Sequence, residues 1–243
     1  MGLTQATAAE HGAGGVANVV LVHGAFADGS SWSKIIPLLE SKGLHVIAVQ
    51  NPLNAFADDV ASTRRAIARL DGPVLLVGHS YGGAVITEAG NDPKVAGLVY
   101  VAAFAPGDGE AVADLGKGFP VPPGMAEEIP DAAGFISLTR KGVERDFAQD
   151  LSVAERKLIA ATQGPTAAQV FGTKIAHAAW QGKPSWYVVS QNDRMIPPEL
   201  QRAMAKKIGS KSIEVAASHV PMLSHPAEVA AFIAEAAQKV PVK

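Results

Sequence analysis

One serine in this chain stands in a setting suited to nucleophilic chemistry. The motif G-H-S-Y-G at 78–82 follows an apolar run at 74–77 and precedes a segment with helical spacing. Its glycines permit a tight backbone turn, so the Ser80 hydroxyl would be held at a helix start, where amide dipoles favour developing negative charge. A serine in this position can attack a carbonyl carbon and form an acyl-enzyme intermediate.

Two histidines near the C-terminus are candidates for the general base that must accept the serine proton. His219 comes soon after an apolar run at 212–215, so it would lie at the carboxyl edge of a sheet, where Ser80 should also emerge. His225 directly precedes Pro226 and a helical pattern, a position that a helix start explains. We therefore assign His219 as the base and keep His225 as the alternative.

A carboxylate must fix the orientation and tautomer of that histidine. Asp193 follows the apolar run at 186–190 almost at once. Asp108 also follows an apolar run, but it lies further beyond the end of that run. Asp28 precedes the first helical segment and is explained as a turn or cap residue. We assign Asp193 as the acid, with Asp108 as its main rival.

Two backbone amides are expected to stabilise the negative charge of a tetrahedral intermediate. One is the Tyr81 amide, directly after the nucleophile. The other should come from the turn after the first apolar run, which reads V-H-G-A-F at 22–26. We assign the Ala25 amide to this oxyanion hole, with Phe26 as the alternative. His23 is interpreted as a structural histidine that ties the loop down, since no convergent metal ligands accompany it.

Apolar runs rich in β-branched residues alternate with segments of helical spacing along the chain. The runs cover 19–22, 45–49, 74–78, 95–102, 186–190 and 212–215, and the helical segments cover 32–42, 57–70, 82–90, 198–208 and 227–239. This alternation predicts an α/β fold with a mainly parallel, twisted sheet and helices on both faces. Sites in such sheets lie beyond the carboxyl ends of the strands, where the candidate residues stand.

The stretch 108–183 interrupts the alternation. Prolines and a glycine at 120–124 break the pattern, Ser152 and Glu155 form a capping box for a helix, and a second helix is predicted over 167–178. No strand-like run is found there, so we expect a mostly helical cap over the site. The predicted organisation is a flexible N-terminal tail at 1–17, a core formed by 18–107 and 184–243, and the cap at 108–183.

Composition limits the classes of function. The 243 residues fit one α/β domain, and the absence of cysteine excludes disulfides, thiolate metal sites and a cysteine nucleophile. We expect no metal and no other cofactor. The net charge of -2 argues against nucleic acid as a partner, and no apolar run is long enough to cross a membrane. The oligomeric state stays open, with a dimer as one option.

The first residues carry little targeting information. The segment 1–17 is rich in Ala, Gly and Thr and has neither the basic start nor the apolar stretch of a signal peptide. We expect a cytoplasmic protein, and leave export open in case an original signal peptide has been replaced.

Four segments together resemble the esterase and hydroxynitrile-lyase branch of the α/β-hydrolase superfamily. They read LVHGAFADGSSW, GHSYGG, SQNDRMIPPELQRAM and ASHVPMLSHP, and the similarity covers residues 19 to about 237. Within that branch the chain resembles bacterial carboxylesterases and plant salicylate-methylester esterases. The resemblance implies the α/β-hydrolase fold with a helical cap, a small ester as substrate and no cofactor. The order Ser80, Asp193, His219 is also that of the superfamily.

Two other functions are weighed against esterase activity. Lyases of the same branch commonly carry a polar residue where this chain has Gly24, and the best known ones have a lysine where Val220 stands. The chain therefore lacks the polar group and the cation that cyanohydrin cleavage would use. Some plant hormone receptors reuse this fold with a slow triad, and the sequence leaves that receptor function open.

Apolar residues close in sequence to the loops that carry the candidate catalytic residues are candidates for a substrate pocket. We name Phe26, Trp32, Phe104 and Met222, although Trp32 is equally well explained as a core residue. Further aromatic candidates come from the cap, namely Phe119, Phe135, Phe147, Phe171 and Trp180. The cationic residues Arg140, Lys141 and Arg145 are better explained by a solvated helix face than by an acidic substrate.

Overall fold

The computed structural model describes residues 15–241, and that part of the chain holds nine strands and nine α-helices. The strands are β1 (Asn18–Val22), β2 (His45–Val49), β3 (Val74–His79), β4 (Val95–Val101), β5 (Glu128–Pro130), β6 (Phe135–Leu138), β7 (Thr166–Ala167), β8 (Ser185–Ser190) and β9 (Lys211–Val215). The helices are α1 (Ile36–Glu40), α2 (Phe56–Ala68), α3 (Gly82–Ala89), α4 (Val112–Leu115), α5 (Arg140–Gly142), α6 (Val153–Thr162), α7 (Pro198–Lys207), α8 (Pro221–Ser224) and α9 (Pro226–Lys239).

Six of these strands form a parallel sheet in the order β2-β1-β3-β4-β8-β9. All six correspond to the predicted apolar runs, and the predicted parallel sheet is confirmed. Strands β1, β3 and β8 are buried along their whole length, as expected for central strands covered on both faces. Around the sheet, α1 packs against α9 and α2 packs against α3.

The parallel alignment brings the candidate residues to one edge of the sheet. The loop 23–28 follows β1, Ser80 follows β3, Asp193 follows β8 and His219 follows β9. Because parallel strands end at the same edge, residues far apart in the chain are gathered there. None of the helices in residues 15–241 has both the length and the apolar composition that crossing a membrane requires.

The cap at 108–183 differs in part from its prediction. It contains short helical segments and the predicted capping box, in which Ser152 Oγ accepts from the Glu155 amide and Glu155 accepts from the Ser152 amide. It also contains a three-stranded antiparallel sheet in the order β5-β6-β7, where no strand was expected. The helix predicted over 167–178 is wrong, since its first residue pairs with β6 and a 3₁₀ turn, Ala168–Gly172, follows.

The N-terminal segment is described only from residue 15 onward. Val16 is buried, and its amide donates a hydrogen bond of 2.8 Å to the Ala237 carbonyl, so this part of the predicted flexible tail packs against α9. The apolar Val16 side chain explains the difference, because it joins the core. Residues 1–14 of the predicted tail lie outside the described residues.

The turn between β3 and α3 packs at backbone distance against β1. A Cβ at Gly82 would lie 2.5 Å from the Val22 carbonyl oxygen, and one at Gly78 would lie 2.5 Å from the Gly82 oxygen. Such contacts leave no room for a side chain. The glycines therefore set the close approach of β3 and α3 to β1.

The substitution Gly82→Ala is expected to lower the free energy of unfolding by about 1–3 kcal/mol, because the added methyl group would overlap backbone atoms that cannot rotate away. Chemical denaturation followed by circular dichroism measures the loss. Gly182→Ala is the matched control, since Gly182 is exposed at φ -118° and a Cβ there would meet nothing within 4 Å. Equal stability of the two variants would contradict the packing argument.

Candidate active site

Ser80 occupies a strained turn directly after β3. Its φ is +53°, in the left-handed region that side chains other than that of glycine rarely adopt. Its amide donates to the Val101 carbonyl at 3.3 Å, and its carbonyl accepts from the amides of Gly83 and Phe104 at 3.0 and 3.1 Å. These bonds hold the strained conformation, and the Ser80 side chain lines a cavity.

The His219 imidazole is hydrogen-bonded to a carboxylate. Its Nδ1 lies 2.8 Å from Asp193 Oδ2, and both side chains are buried. A carboxylate at Nδ1 favours the tautomer with its proton on that nitrogen, which leaves the lone pair of Nε2 free to accept a proton. His219 lines the same cavity as Ser80. The structure thus brings the three predicted residues to one place.

Asp193 is held by more than the histidine. Its Oδ1 accepts from the amides of Met195 and Ile196 at 2.7 and 2.9 Å, and its Oδ2 also accepts from Gln201 Nε2 at 2.7 Å. The orientation of the Gln201 amide is fixed, because its Oε1 accepts from the Ser190 amide at 2.9 Å. Each carboxylate oxygen therefore accepts two hydrogen bonds.

Sequence reasoning missed Gln201. It is fully buried on α7, among the buried residues Leu200, Met204 and Ala205. A glutamine within the apolar face of a helix was a visible signal, because a buried amide needs hydrogen-bond partners. The identity of its partner depends on the fold and could not be read from that pattern.

Further residues contact the backbone and the ring of His219. His79 Nε2 lies 2.8 Å from the His219 carbonyl oxygen, and the rings of His79 and Phe147 lie 4.8 and 5.1 Å from the His219 ring. Burial and the neighbouring His219 hold the pKa of His79 well below its usual value, so His79 is neutral and its Nε2–H donates. The cap contributes Asp150, whose carboxylate accepts from the Ser218 amide at 2.8 Å.

His23 has the structural role assigned to it. Its Nε2 accepts from the Asn51 amide at 2.9 Å, so Nδ1 carries the proton and donates to the Gly24 carbonyl at 2.8 Å. Burial lowers the pKa of His23, which keeps the ring neutral in this role. The ring connects the loop 23–28, called the oxyanion loop below, to Asn51, which follows β2.

The structure separates the two candidates for the second oxyanion-hole amide. Phe26 has φ +58°, and its amide already donates to Thr166 Oγ1 of the cap at 3.3 Å. This contact favours Ala25, the first assignment. Tyr81, the residue assigned to supply the first amide, is anchored through its side chain, whose hydroxyl donates to Asp59 Oδ2 at 2.7 Å. Burial raises the pKa of Tyr81 and also that of Asp59.

The rival acid and base lie elsewhere. Asp108 accepts from the Ala178 amide at 2.6 Å and so joins two parts of the cap segment. His225 contacts Ser224 Oγ at 3.0 Å and directly precedes α9. Neither residue lines the cavity. Asp28 accepts from a backbone amide at the start of a 3₁₀ turn, as its interpretation as a cap residue requires.

The cavity above Ser80 has a volume of about 530 Å³ and a mostly apolar wall. Of the predicted pocket residues, Phe26 and Phe104 line it. Trp32 and Met222 do not, and the prediction is corrected for these two, because both are fully buried in the core.

From the cap, Phe119 and Phe171 line the cavity, whereas Phe135, Phe147 and Trp180 do not. Arg140, Lys141 and Arg145 are likewise not part of its wall. Within residues 15–241, no group of three or more His, Cys, Asp or Glu side chains converges as metal ligands.

Comparison with known proteins identifies relatives of this chain. A model of the alpha/beta hydrolase family matches residues 19–232. A pyrethroid hydrolase from Sphingobium wenxiniae is 29% identical over 251 residues, which cover 90% of this chain and 87% of that protein. Salicylic acid-binding protein 2 of Nicotiana tabacum is 27% identical over 259 residues, covering 90% of this chain and 96% of that protein.

Among solved structures, polyneuridine aldehyde esterase has the same fold. Its crystal structure aligns with a TM-score of 0.77 at 23% sequence identity, covering 90% of this chain and 98% of that one. Hydrolases and esterases thus recur among the relatives, which supports ester hydrolysis as the general class of reaction. The family model spans most of the chain, and the chain therefore belongs to the α/β-hydrolase family.

Proposed function

We propose that this protein is a serine esterase that hydrolyses small carboxylic esters through an acyl-enzyme intermediate. The observation that carries the proposal is the buried hydrogen bond between His219 and Asp193 at the cavity that Ser80 also lines. A pyrethroid hydrolase and an esterase among the relatives support the same reaction class. A cavity of about 530 Å³ suits a small substrate.

The first half of the reaction forms the acyl-enzyme. Ser80 Oγ attacks the ester carbonyl carbon while His219 Nε2 accepts the hydroxyl proton. The carbonyl oxygen becomes an oxyanion that receives hydrogen bonds from the amides of Ala25 and Tyr81. The tetrahedral intermediate then collapses, and His219 returns the proton to the departing alcohol oxygen.

The second half releases the acid. Water attacks the acyl carbon and gives a proton to His219, and the same two amides stabilise the second oxyanion. Collapse of this intermediate restores Ser80 with its proton and frees the carboxylic acid. Throughout both halves, the Asp193 carboxylate stabilises the imidazolium form of His219 and keeps its ring in one orientation.

Two positions argue against the lyase alternative. A Cβ at Gly24 would lie 2.7 Å from Ser80 Cβ, so a polar side chain could not enter there without a shift of the loop. Val220 is buried and apolar and supplies no cation to the cavity. A cyanohydrin would therefore find neither a polar side chain at position 24 nor a cation at position 220.

The substitution Ser80→Ala is expected to reduce turnover of p-nitrophenyl butyrate by about four to six orders of magnitude, because members of a triad act as one unit. Steady-state release of p-nitrophenol measures the loss, and circular dichroism verifies the fold. Ser41→Ala, at an exposed serine that ends α1, is the control and should retain wild-type activity. A wild-type protein that gives only a single burst of product would instead support the receptor alternative.

Exchanging Asp193 for asparagine is expected to cost on the order of three to four decades in kcat/KM, since an amide at this position would favour the wrong histidine tautomer. Asp108→Asn removes the same charge outside the cavity and should leave kcat/KM nearly unchanged. If both variants lost activity equally, Asp193 would not be the orienting acid.

Loss of the Gln201 amide is expected to lower kcat on the order of tenfold to a hundredfold in Gln201→Met, because Asp193 loses a donor and with it a fixed position. KM should change little, since Gln201 does not line the cavity. The control is Gln191→Met, at an exposed glutamine that contacts Glu214. Wild-type kcat in folded Gln201→Met would show that the carboxylate needs no such support.

A further inference from the structure

Among the described residues, Glu128 is the charged side chain of the cavity wall that has no partner. Besides His219, the wall contains two side chains that can carry a charge, those of Lys117 and Glu128. Lys117 Nζ contacts Asp114 Oδ1 at 2.8 Å, and its side chain is 78% exposed, so it lies at the rim and its charge is matched. The Glu128 carboxylate has neither a hydrogen bond nor an ion pair with any residue in 15–241.

The small cap sheet turns Glu128 toward the cavity. Glu128 pairs across the antiparallel ladder with Leu138, and paired residues project from the same face of a sheet. Leu138 is buried, and Ile136, two residues earlier on that face, lines the cavity. The preceding residue, Glu127, points elsewhere, because its carboxylate binds the Thr139 hydroxyl and the Lys141 ammonium.

The Glu128 carboxylate is half-buried and has no partner among the described side chains. Burial raises the pKa of Glu128, and no opposing interaction lowers it. The cavity wall is mostly apolar and includes Val121, Met125 and Ile136, and no described side chain donates a hydrogen bond to the carboxylate. A ligand that brings a cation or another hydrogen-bond donor would satisfy the carboxylate, whereas an anionic ligand would be repelled.

We propose that Glu128 is a specificity-determining residue that selects esters carrying an ammonium group or another hydrogen-bond donor and rejects esters carrying a second carboxylate. The inference rests on the proposed esterase function, because it concerns the substrate of the same cavity. The competing reading is that Lys117 attracts anionic esters. Its exposure and its contact with Asp114 argue against that role.

The test uses three p-nitrophenyl esters of equal chain length: the neutral heptanoate, the cationic ω-aminohexanoate and the anionic hydrogen adipate. The selectivity is the ratio of kcat/KM for the cationic ester to kcat/KM for the anionic one. Comparing this ratio between proteins cancels the intrinsic reactivity of the esters. The ratio should exceed unity in the wild type and fall by about tenfold in Glu128→Gln, which removes the charge at nearly constant size.

Glu127→Gln is the matched control. It removes the same charge one residue away, from a side chain that faces Thr139 and Lys141, so the wild-type ratio should be retained. Glu128→Lys should invert the preference, which provides a second variant with a result of opposite sign. Equal ratios in the wild type, Glu127→Gln and Glu128→Gln, or a wild-type preference for the anionic ester, would overturn the inference.

A binding measurement separates this inference from the proposed function. Calorimetric titration with hexylammonium and with hexanoate should give tighter binding of hexylammonium to the wild type, and that difference should disappear in Glu128→Gln but not in Glu127→Gln. If the wild type did not hydrolyse the neutral ester, the proposed function would fail while the titration still decided the role of Glu128. Equal binding of both ions by all three proteins would overturn that role.

Discussion

The left-handed backbone of Ser80 is the constraint on which the rest of the site depends. Positive φ at a residue with a side chain costs on the order of 1–3 kcal/mol, and hydrogen bonds to β4 and to the segments after it hold the residue there. The turn also requires backbone contact with β1 and its loop, which glycines at 24, 78 and 82 permit. The neighbouring positions of β1 and β3 in the sheet follow from the same requirement.

Asp193, beside this turn, is stabilised by hydrogen bonds to both of its carboxylate oxygens. Asp193 is almost fully buried, and a buried carboxylate is costly unless donors surround it. The donors are the backbone amides of Met195 and Ile196, the Gln201 side chain and the His219 ring. His79, which burial keeps neutral, fixes the backbone of His219 without adding a positive charge beside the ring. The result is a rigid polar cluster at the base of an apolar cavity.

Much of the fold was predictable, because its main elements repeat a simple pattern over several residues. Most strands of the central sheet are apolar runs, whereas β9 (KSIEV) mixes apolar and polar residues, and the candidate nucleophile, acid and base each follow a strand of this sheet. Strands β5, β6 and β7 have two to four residues each, which is too few for an alternation to be visible. The cap sheet was missed for that reason.

The supporting residues were harder to predict, because their partners are distant in the chain. His79 contacts a residue 140 positions away, and Asp150 contacts one 68 positions away. Trp32 and Met222 illustrate the opposite error. Both are close in sequence to the loops of the candidate site, yet their side chains are buried in the core. Proximity along the chain does not decide on which side of a loop a side chain lies.

The contacts between the cap and the core loops have a consequence for how such proteins diversify. Thr166 holds the oxyanion loop, Asp150 holds the loop of the candidate base, and Phe147 packs on the ring of that base. The cap therefore contributes to the geometry of the candidate active site as well as covering it. A cap transplanted from a relative would have to bring equivalents of these three side chains, so new substrate ranges are reached more readily by single changes in the cavity wall than by exchange of the whole segment.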